Sequence, residues 1–563
     1  METHSLNATL KSKKLLARFN RQLDRGTIVT CADWACKRRV MGEPFKGPWT
    51  FDYHPWLYEP HVSTHKHRIC RKGAQLGFTE WAINEAFYAI DHYRKSVLYC
   101  LPTRGNASDF SASRFDNALE ESEYIRDIFS GTNNVGLKKA GAASLYIRGS
   151  KSRNDLKSIP VGLLILDEID EMPEESVSLV EHRKDGQKEG STSLLKLSTP
   201  TLPGFGIDKE YEESNKGIFS FKCPSCSKLI DLDYPRNFEL CGDSLDDDLS
   251  RSRIFCHECN ATLPHASKID YLKPKAFGGT AHYVFSKQLR EKEGFSTNQL
   301  YSMAEGGTPI EWAKAIIHAR TSKTREQELY NSKAGKAHIV SGAKIEWEQI
   351  NDCKGGYSQA TIQITNRPRT MGVDVGNVFH VTIDEWDERF QVGKPNQRYE
   401  PRLIKETTTG GGAWDVREVI SLFNEYQCHA LVIDGEPERR IALQLLELLG
   451  SCAWMCDYSE GLKGGDVKID EVTGLVQVNR TNWLDIVTGR FMNGSGQIPY
   501  DVSDEFCDHI QALVRCYKED RWGQPVGRYV SNGPDHFAHS RVYSEVALPF
   551  ALHQSGEDIY ELF

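Results

Sequence analysis

Three runs of continuous apolar residues, SVLYCLPT (96–103), VGLLILDE (161–168) and SLLKLSTP (193–200), each finish in polar residues at their C-terminal ends, and helical stretches separate them. Runs this short without alternation are strands buried on both faces, which belong to parallel sheets covered by helices. Sites in such sheets form at the carboxyl ends of the strands. A second series follows, with ITNRPRTMGVDVGN, VFHVTIDEW and CHALVIDGE, and the alternation in VFHVTIDEW predicts a half-buried strand. The chain of 563 residues is long enough for about three to four folding units. With 39% apolar residues and 24 Phe, 22 Tyr and 11 Trp it has core material for them. No stretch reaches the roughly 18 consecutive apolar residues of a membrane helix, and METHSLNATLKSKK lacks an apolar h-region, so a soluble protein that stays where it is made is expected. A net charge of −9 argues against a small, uniformly basic nucleic-acid binder but leaves room for a local basic channel.

The segment RICRKGAQLGFTEWAINEAFYAID reads as a strand end, a turn and a helix. In the usual phosphate loop, GxxxxGK[ST], a Lys precedes the final hydroxyl residue; here Phe78 stands in that place, and Lys72 supplies the cation from the other end of the loop. Gly73 and Gly77 let backbone N–H groups curl round a phosphate, the helix offers its N-terminus to the anion, and Thr79 can place a hydroxyl on magnesium. VGLLILDEIDE runs straight into Asp167 and Glu168, and unpaired acids at the end of a buried strand are costly unless they have a task. Asp167 is expected to hold magnesium, and Glu168 to orient and deprotonate the attacking water of ATP hydrolysis. Ser198, Thr199 and Pro200 end the third run beside the expected γ-phosphate.

There are 15 cysteines, an odd number with no secretory signal, so a disulfide framework is not expected. Four of them form two CxxC knuckles, Cys223/Cys226 and Cys256/Cys259, a spacing that suits a closed tetrahedral zinc site of structural purpose; His257 lies inside the second knuckle, but four Cys already fill the shell.

In the second series Asp374 and Asp434 arrive on neighbouring strands, and GPDHFAHSRVYSEVALPF offers Asp535, His536 and His539 at the start of a helix. Asp374, Asp434 and Asp535 make a ribonuclease H-like set for two magnesium or manganese ions acting on a phosphodiester. Asp384 and Glu436 read as solvated strand ends.

Taken in order, TCADWACKRRVMGEPFKGPWTFDYHPWLYEP, RKGAQLGFTE, LPTRGNASDF, LKSIPVGLLILDEIDEMP, LKLSTPT, CPSC and CHEC resemble the large subunit of tailed-phage DNA-packaging terminases, the lambda-like GpA family, over about residues 28–550. The resemblance includes the displaced Lys of the phosphate loop. It implies an α/β protein with an N-terminal P-loop ATPase domain of the ASCE type carrying a zinc-ribbon-like insert, and a C-terminal RNase H-like nuclease domain. The expected divisions are a basic arm at 1–45, an ATPase motor at 46–340 with the insert at 218–265, a linker at 341–365, the nuclease at 366–550 and a tail at 551–563. The implied function is ATP-driven translocation of double-stranded viral DNA into a procapsid and endonucleolytic cutting of concatemers, with ATP, Mg2+ or Mn2+, and Zn2+ as cofactors. Thr103 and Arg104 are then polar groups facing phosphate or DNA, Arg114 is a charge stabiliser, and Trp49, Phe51 and Tyr53 are candidates to cover adenine. The family usually ends in a DHxxDA-like motif. Here the second acid position is His539, so the third metal ligand is Asp535 or, with a preference for manganese, His539. Implied partners are a terminase small subunit at the basic arm, a portal protein at the tail, and further copies in a pentameric ring; the implied location is the host cytoplasm. Two rivals are a helicase-like or repair ATPase with a non-cleaving C-terminal unit, and a non-catalytic capsid-vertex component.

Overall fold

A computed structural model describes residues 28–553 apart from 130, 152–155, 157–160, 183–190, 290, 362–364, 391–392, 410–414, 460–461, 463–466 and 520–524. The basic stretch from Lys11 to Arg25 and the tail from residue 554 lie outside the described residues. Two compact units divide the chain between His338 and Ile339. Among the described residues no helix is long and apolar enough to cross a membrane.

The first unit is built on an eleven-stranded sheet. Its strands are β1 (His67–Lys72), β2 (Val97–Leu101), β3 (Asn133–Asn134), β4 (Leu137–Ala140), β5 (Ala143–Gly149), β6 (Leu163–Asp167), β7 (Ser193–Ser198), β8 (Gly217–Lys222), β9 (Leu229–Asp231), β10 (His282–Phe285) and β11 (Glu293–Thr297). The order is β9-β8-β11-β1-β7-β6-β2-β5-β4-β3, with β10 also on β8. From β8 to β5 neighbouring strands are parallel. All three apolar runs of the sequence are strands here, and β2 and β6 are buried at every position, as expected of strands covered on both faces. One strand, β7, separates the phosphate-loop strand β1 from the acid-bearing strand β6, the additional-strand arrangement that defines ASCE ATPases. Helix α1 (Phe78–Asp91) follows the loop and is buried on nearly every side.

The segment expected to be a separate insert at 218–265 is not separate. It begins as β8, inside the main sheet, and the first cysteine knuckle is the turn between β8 and β9. Trp49 and Phe51 are core residues, in an aromatic cluster with Tyr58, His61 and Phe277, while Tyr53 is exposed beside Phe45. The first two rings are therefore engaged in packing and do not present a face to a base.

The second unit carries a seven-stranded sheet of β12 (Arg369–Val375), β13 (Phe379–Glu388), β14 (Tyr399–Thr409), β15 (Ala430–Asp434), β16 (Ala453–Tyr458), β17 (Val467–Asp470) and β18 (Leu475–Val478), in the order β14-β13-β12-β15-β16-β18-β17. Strands β12, β15, β16 and β18 are parallel neighbours, and β13 and β14 add antiparallel strands at one side. The helices used below are α2 (Arg104–Phe110) in the first unit and α3 (Trp347–Asp352), α4 (Arg480–Met492), α5 (Asp504–Gln511) and α6 (His536–His553) in the second. Helix α6 lies against β12, β13 and β15. It comes so close to β12 that a Cβ on Gly372 would collide with the Ser540 carbonyl, so only glycine fits there.

That contact overturns two expectations. Strand β13 is buried along its first eight residues instead of alternating, because α6 covers the face the pattern left to solvent and Thr382 meets Ser540 across it at 2.9 Å. Asp384 is fully buried and ion-paired with Arg541 of α6, so it is no solvated strand end; Glu436 is exposed as read. The stretch 341–365, expected to be a linker, belongs to the second unit. Its helix α3 packs on α4 and α5, and Ile345, Ile350 and Cys353 are core residues.

Candidate functional site

In the first unit Lys72 ends β1, Asp167 ends β6 with Glu168 next, and Ser198 ends β7, so the three neighbouring parallel strands deliver them to one edge. Lys72 Nζ donates to Glu168 Oε1 at 2.8 Å, and Lys72 is only 7% exposed against 37% for Glu168. Burial pulls the Lys72 ammonium down, but Glu168 and Asp167 outweigh it and hold it above its ordinary range. Glu168 is raised by burial and lowered more strongly by Lys72, the Thr199 N–H and the Ser198 hydroxyl, so it stays ionised. Asp167 is pushed up by burial and by Glu168, against the pull of Lys72 and the Tyr99 and Thr79 hydroxyls. Tyr99 donates to Asp167 Oδ2 at 2.6 Å, while Asp167 Oδ1 is buried with no hydrogen-bond partner, as a carboxylate oxygen reserved for a cation would be. Glu168 adopts φ 64°, which turns its side chain out of the strand towards Lys72.

The loop itself differs from the expectation. The Gly73 and Ala74 N–H groups donate to Thr297 and Ser332 carbonyls at 2.9 and 2.7 Å, so they are not turned to a phosphate. What remains for an anion is the start of α1, after Gly77 at φ 78°, where helix geometry leaves the first-turn N–H groups without intrahelical partners. Phe78 contributes only that backbone; its ring is buried against Trp81. Thr103 caps α2 by accepting from the Asn106 N–H at 3.1 Å, and Arg104 is exposed in the first turn. Arg114 is exposed and lies 3.5 Å from Glu80.

The two cysteine knuckles share one backbone pattern. Ser227 and Asn260, each following a second Cys, have φ 58° and 59°. Their N–H groups bond back to the Cys223 and Cys256 carbonyls at 2.9 and 2.8 Å. The four sulfurs lie within 4.8 Å of one another, with Cys223–Cys259 at 3.8 Å and Cys226–Cys256 at 4.0 Å. A tetrahedral ion with bonds of about 2.3 Å needs sulfur separations of about 3.8 Å, so the donor set fits zinc.

In the second unit Val373 pairs with Ile433, so Asp374 and Asp434 stand side by side at the ends of β12 and β15. Burial first, and then Asp374, push the Asp434 carboxyl up to about 7. Asp374 Oδ2 is 2.8 Å from His536 Nδ1. Burial raises the Asp535 carboxyl, but the bond and charge of His539, the Ser531 hydroxyl and the Arg480 charge together hold it at about 2. Both nitrogens of His539 are engaged, Nε2 with Asp535 at 3.2 Å and Nδ1 with the Tyr458 hydroxyl at 2.8 Å. His539, read as the alternative to Asp535, is bonded to Asp535 itself and holds that carboxylate in place. Among the described residues, the side chains that converge within 4.8 Å around Asp374 are His380 and His536, with Glu505 and His509 adjoining His380. The sequence reading missed His380, Glu505 and His509, which lie on separate elements far apart in the chain.

Fold and site together define the class of the first unit, a P-loop ATPase of the additional-strand type. Residues 43–276 match the family described as phage terminase large subunit gpA, ATPase domain. That stretch of the first unit is thus similar to the ATPase domain of phage terminase large subunits. No curated protein matches the chain. Among solved structures, the HK97 bacteriophage large terminase is 10% identical with a TM-score of 0.48, covering 91% of this chain and 98% of that one. A large terminase from a thermophilic bacteriophage is 11% identical with a TM-score of 0.29, covering 88% and 98%. The large terminase nuclease of thermophilic phage G20c with bound magnesium is 15% identical with a TM-score of 0.24, covering 37% and 98%.

Proposed function

We propose that the chain is an ATP-driven motor that moves double-stranded viral DNA into a procapsid, and a metal-dependent endonuclease that cuts the concatemer. The observation that carries this is the meeting of Lys72, Asp167 and Glu168 at one edge of the sheet in a terminase-type ATPase domain. In the ATPase, Lys72 and the start of α1 hold phosphate, Thr79 and Asp167 hold magnesium, and Glu168 takes the proton of the attacking water. Lys72 and Glu168 are ion-paired and neutralise one another. A bound polyphosphate competes for Lys72, and that competition releases Glu168 to act as a base. Thr199 reaches Glu168 through its N–H at 3.4 Å, so β7 is suited to report on the γ-phosphate. Arg104 and Arg114 are exposed cations for phosphate or DNA.

In the second unit Asp374, Asp434 and Asp535 are the nuclease carboxylates, and bound Mg2+ or Mn2+ would supply the charge that activates water and stabilises the leaving oxygen. Cys223, Cys226, Cys256 and Cys259 would hold a structural Zn2+. The basic arm and the tail are offered to the small subunit or DNA and to the portal, in a pentameric ring in the host cytoplasm. Paired assays on the wild type test the reading: ATP turnover, and nicking of supercoiled plasmid with Mg2+ or Mn2+ omitted and restored. Both activities are expected. Turnover without metal-dependent nicking would favour a helicase-like ATPase instead.

A further inference from the structure

Tyr99 lies in the middle of β2, fully buried, and pairs with Ile165 of β6 on one side and Ile147 of β5 on the other. Side chains two apart on a strand share a face, so Asp167 emerges on the same side of the sheet as Ile165, one diagonal step from Tyr99. The phenol spans that step and donates to Asp167 Oδ2 at 2.6 Å. Burial and the neighbouring Asp167 hold the phenol well above its usual range, so it keeps its proton and is the donor. Packing alone does not call for the hydroxyl, because a phenylalanine would fill the same space with no polar atom to satisfy.

The Tyr99 ring is fixed from two sides. Phe110, the last residue of α2, stacks on it with centroids 5.0 Å apart and planes 29° apart, and Phe115 meets it edge-on at 5.5 Å and 86°. In an α-helix, residues five apart point about 140° away from one another. The chain from Ser111 to Asp116 instead forms a wider π-helical turn, which brings Phe110 and Phe115 to one side, 5.6 Å apart. Such turns are rare and are found often at functional sites. Phe115 is held in its turn by Phe87 of α1, the helix that follows the phosphate loop.

The consequence falls on the two oxygens of Asp167. With Oδ2 on the phenol the orientation of the carboxylate is set, and Oδ1 is left buried with no hydrogen-bond partner. We propose that Tyr99 is a positioning residue for the magnesium of the bound nucleotide: it takes one oxygen of Asp167 and keeps the other turned to the cation, with Phe110 and Phe115 holding its ring. A carboxylate free to rotate would have to be ordered each time a cation enters, and outer-shell partners of metal-binding carboxylates are commonly worth about 10–100-fold in metal affinity. The inference rests on the reading of Asp167 as the magnesium acid and deepens it by naming what orients that acid.

The test uses the full chain and a fluorescent, non-hydrolysable ATP analogue, whose binding is measured in EDTA and then against rising Mg2+. Tyr99→Phe is expected to raise the Mg2+ concentration that gives half of the metal-dependent gain in affinity about 10–100-fold, with affinity in EDTA unchanged. Phe110→Leu keeps the hydroxyl but loosens the ring, and a smaller shift in the same direction is expected. Unchanged Mg2+ dependence in Tyr99→Phe, or an equal loss of affinity with and without Mg2+, would overturn the proposal. Asp167→Asn separates it from the reading beneath it. If that variant also keeps the wild-type Mg2+ dependence, Asp167 is not the magnesium acid and both ideas fall. If it needs more Mg2+ and Tyr99→Phe does not, the positioning role alone fails.

Discussion

The acids of the first unit and those of the second are built on the same backbone plan and balanced in opposite ways. Both lie at the carboxyl ends of parallel strands. In the first, Asp167 and Glu168 are consecutive in sequence, and a buried lysine from another strand carries the compensating charge. In the second, Asp374 and Asp434 come from separate strands with no lysine or arginine paired to either among the described residues, and imidazoles and a raised Asp434 carboxyl take the place of the cation. An acid with a buried counter-charge beside it stays ionised; an acid without one holds its proton to higher pH.

The largest effect expected from that difference is in Lys72→Ala, which removes both the phosphate cation and the partner of Glu168. ATP turnover is expected to fall by about three orders of magnitude, with plasmid nicking unchanged. A fall of tenfold or less in a phosphate-release assay would mean another cation serves the loop.

Neutralising an acid sharpens the comparison, because the two centres should respond with opposite sign. Glu168→Gln leaves the buried Lys72 ammonium without its anion, and urea unfolding is expected to show a loss of roughly 1 kcal/mol. Asp434→Asn acts the other way in metal-free protein. The folded-state carboxyl titrates at about 7, against about 4 in the unfolded chain, so folding is penalised progressively as pH rises from 4 through 7. In EDTA the variant is expected to gain roughly 1–2 kcal/mol at pH 8, after discounting for partial exposure, and almost nothing at pH 4. The same sign in both variants would break the contrast.

The cysteine site is a third way of holding charge, and its expected effect is the smallest in function. Cys226→Ser should lower bound zinc by close to one equivalent in metal analysis and reduce the melting temperature of the first unit by a few degrees. The effect is limited because Cys223 and Cys256 also pack in the main core.

Legibility in the sequence followed the same division. Strands β2, β6 and β7, the acids after VGLLIL and the two knuckles were readable, because each is a local pattern that one element imposes on consecutive residues. The Gly73 N–H was misread because its acceptor, Thr297, is more than two hundred residues away. The stretch 341–365 looked like a connector from its glycines, yet Ile345, Ile350 and Cys353 bury in a core made by α4 and α5. Asp384 looked solvated because its partner Arg541 arrives on the last helix. His380, Glu505 and His509 carry no motif at all; pairing across β12–β13 and the placement of α5 bring them together.

The central claim is that one chain carries two separate hydrolytic centres. Glu168→Gln and Asp374→Asn, each assayed for ATP turnover and for metal-dependent plasmid nicking, test it most directly. Glu168→Gln is expected to abolish turnover and keep nicking, and Asp374→Asn to keep turnover and abolish nicking. Loss of both activities in either variant, or of neither, would contradict it.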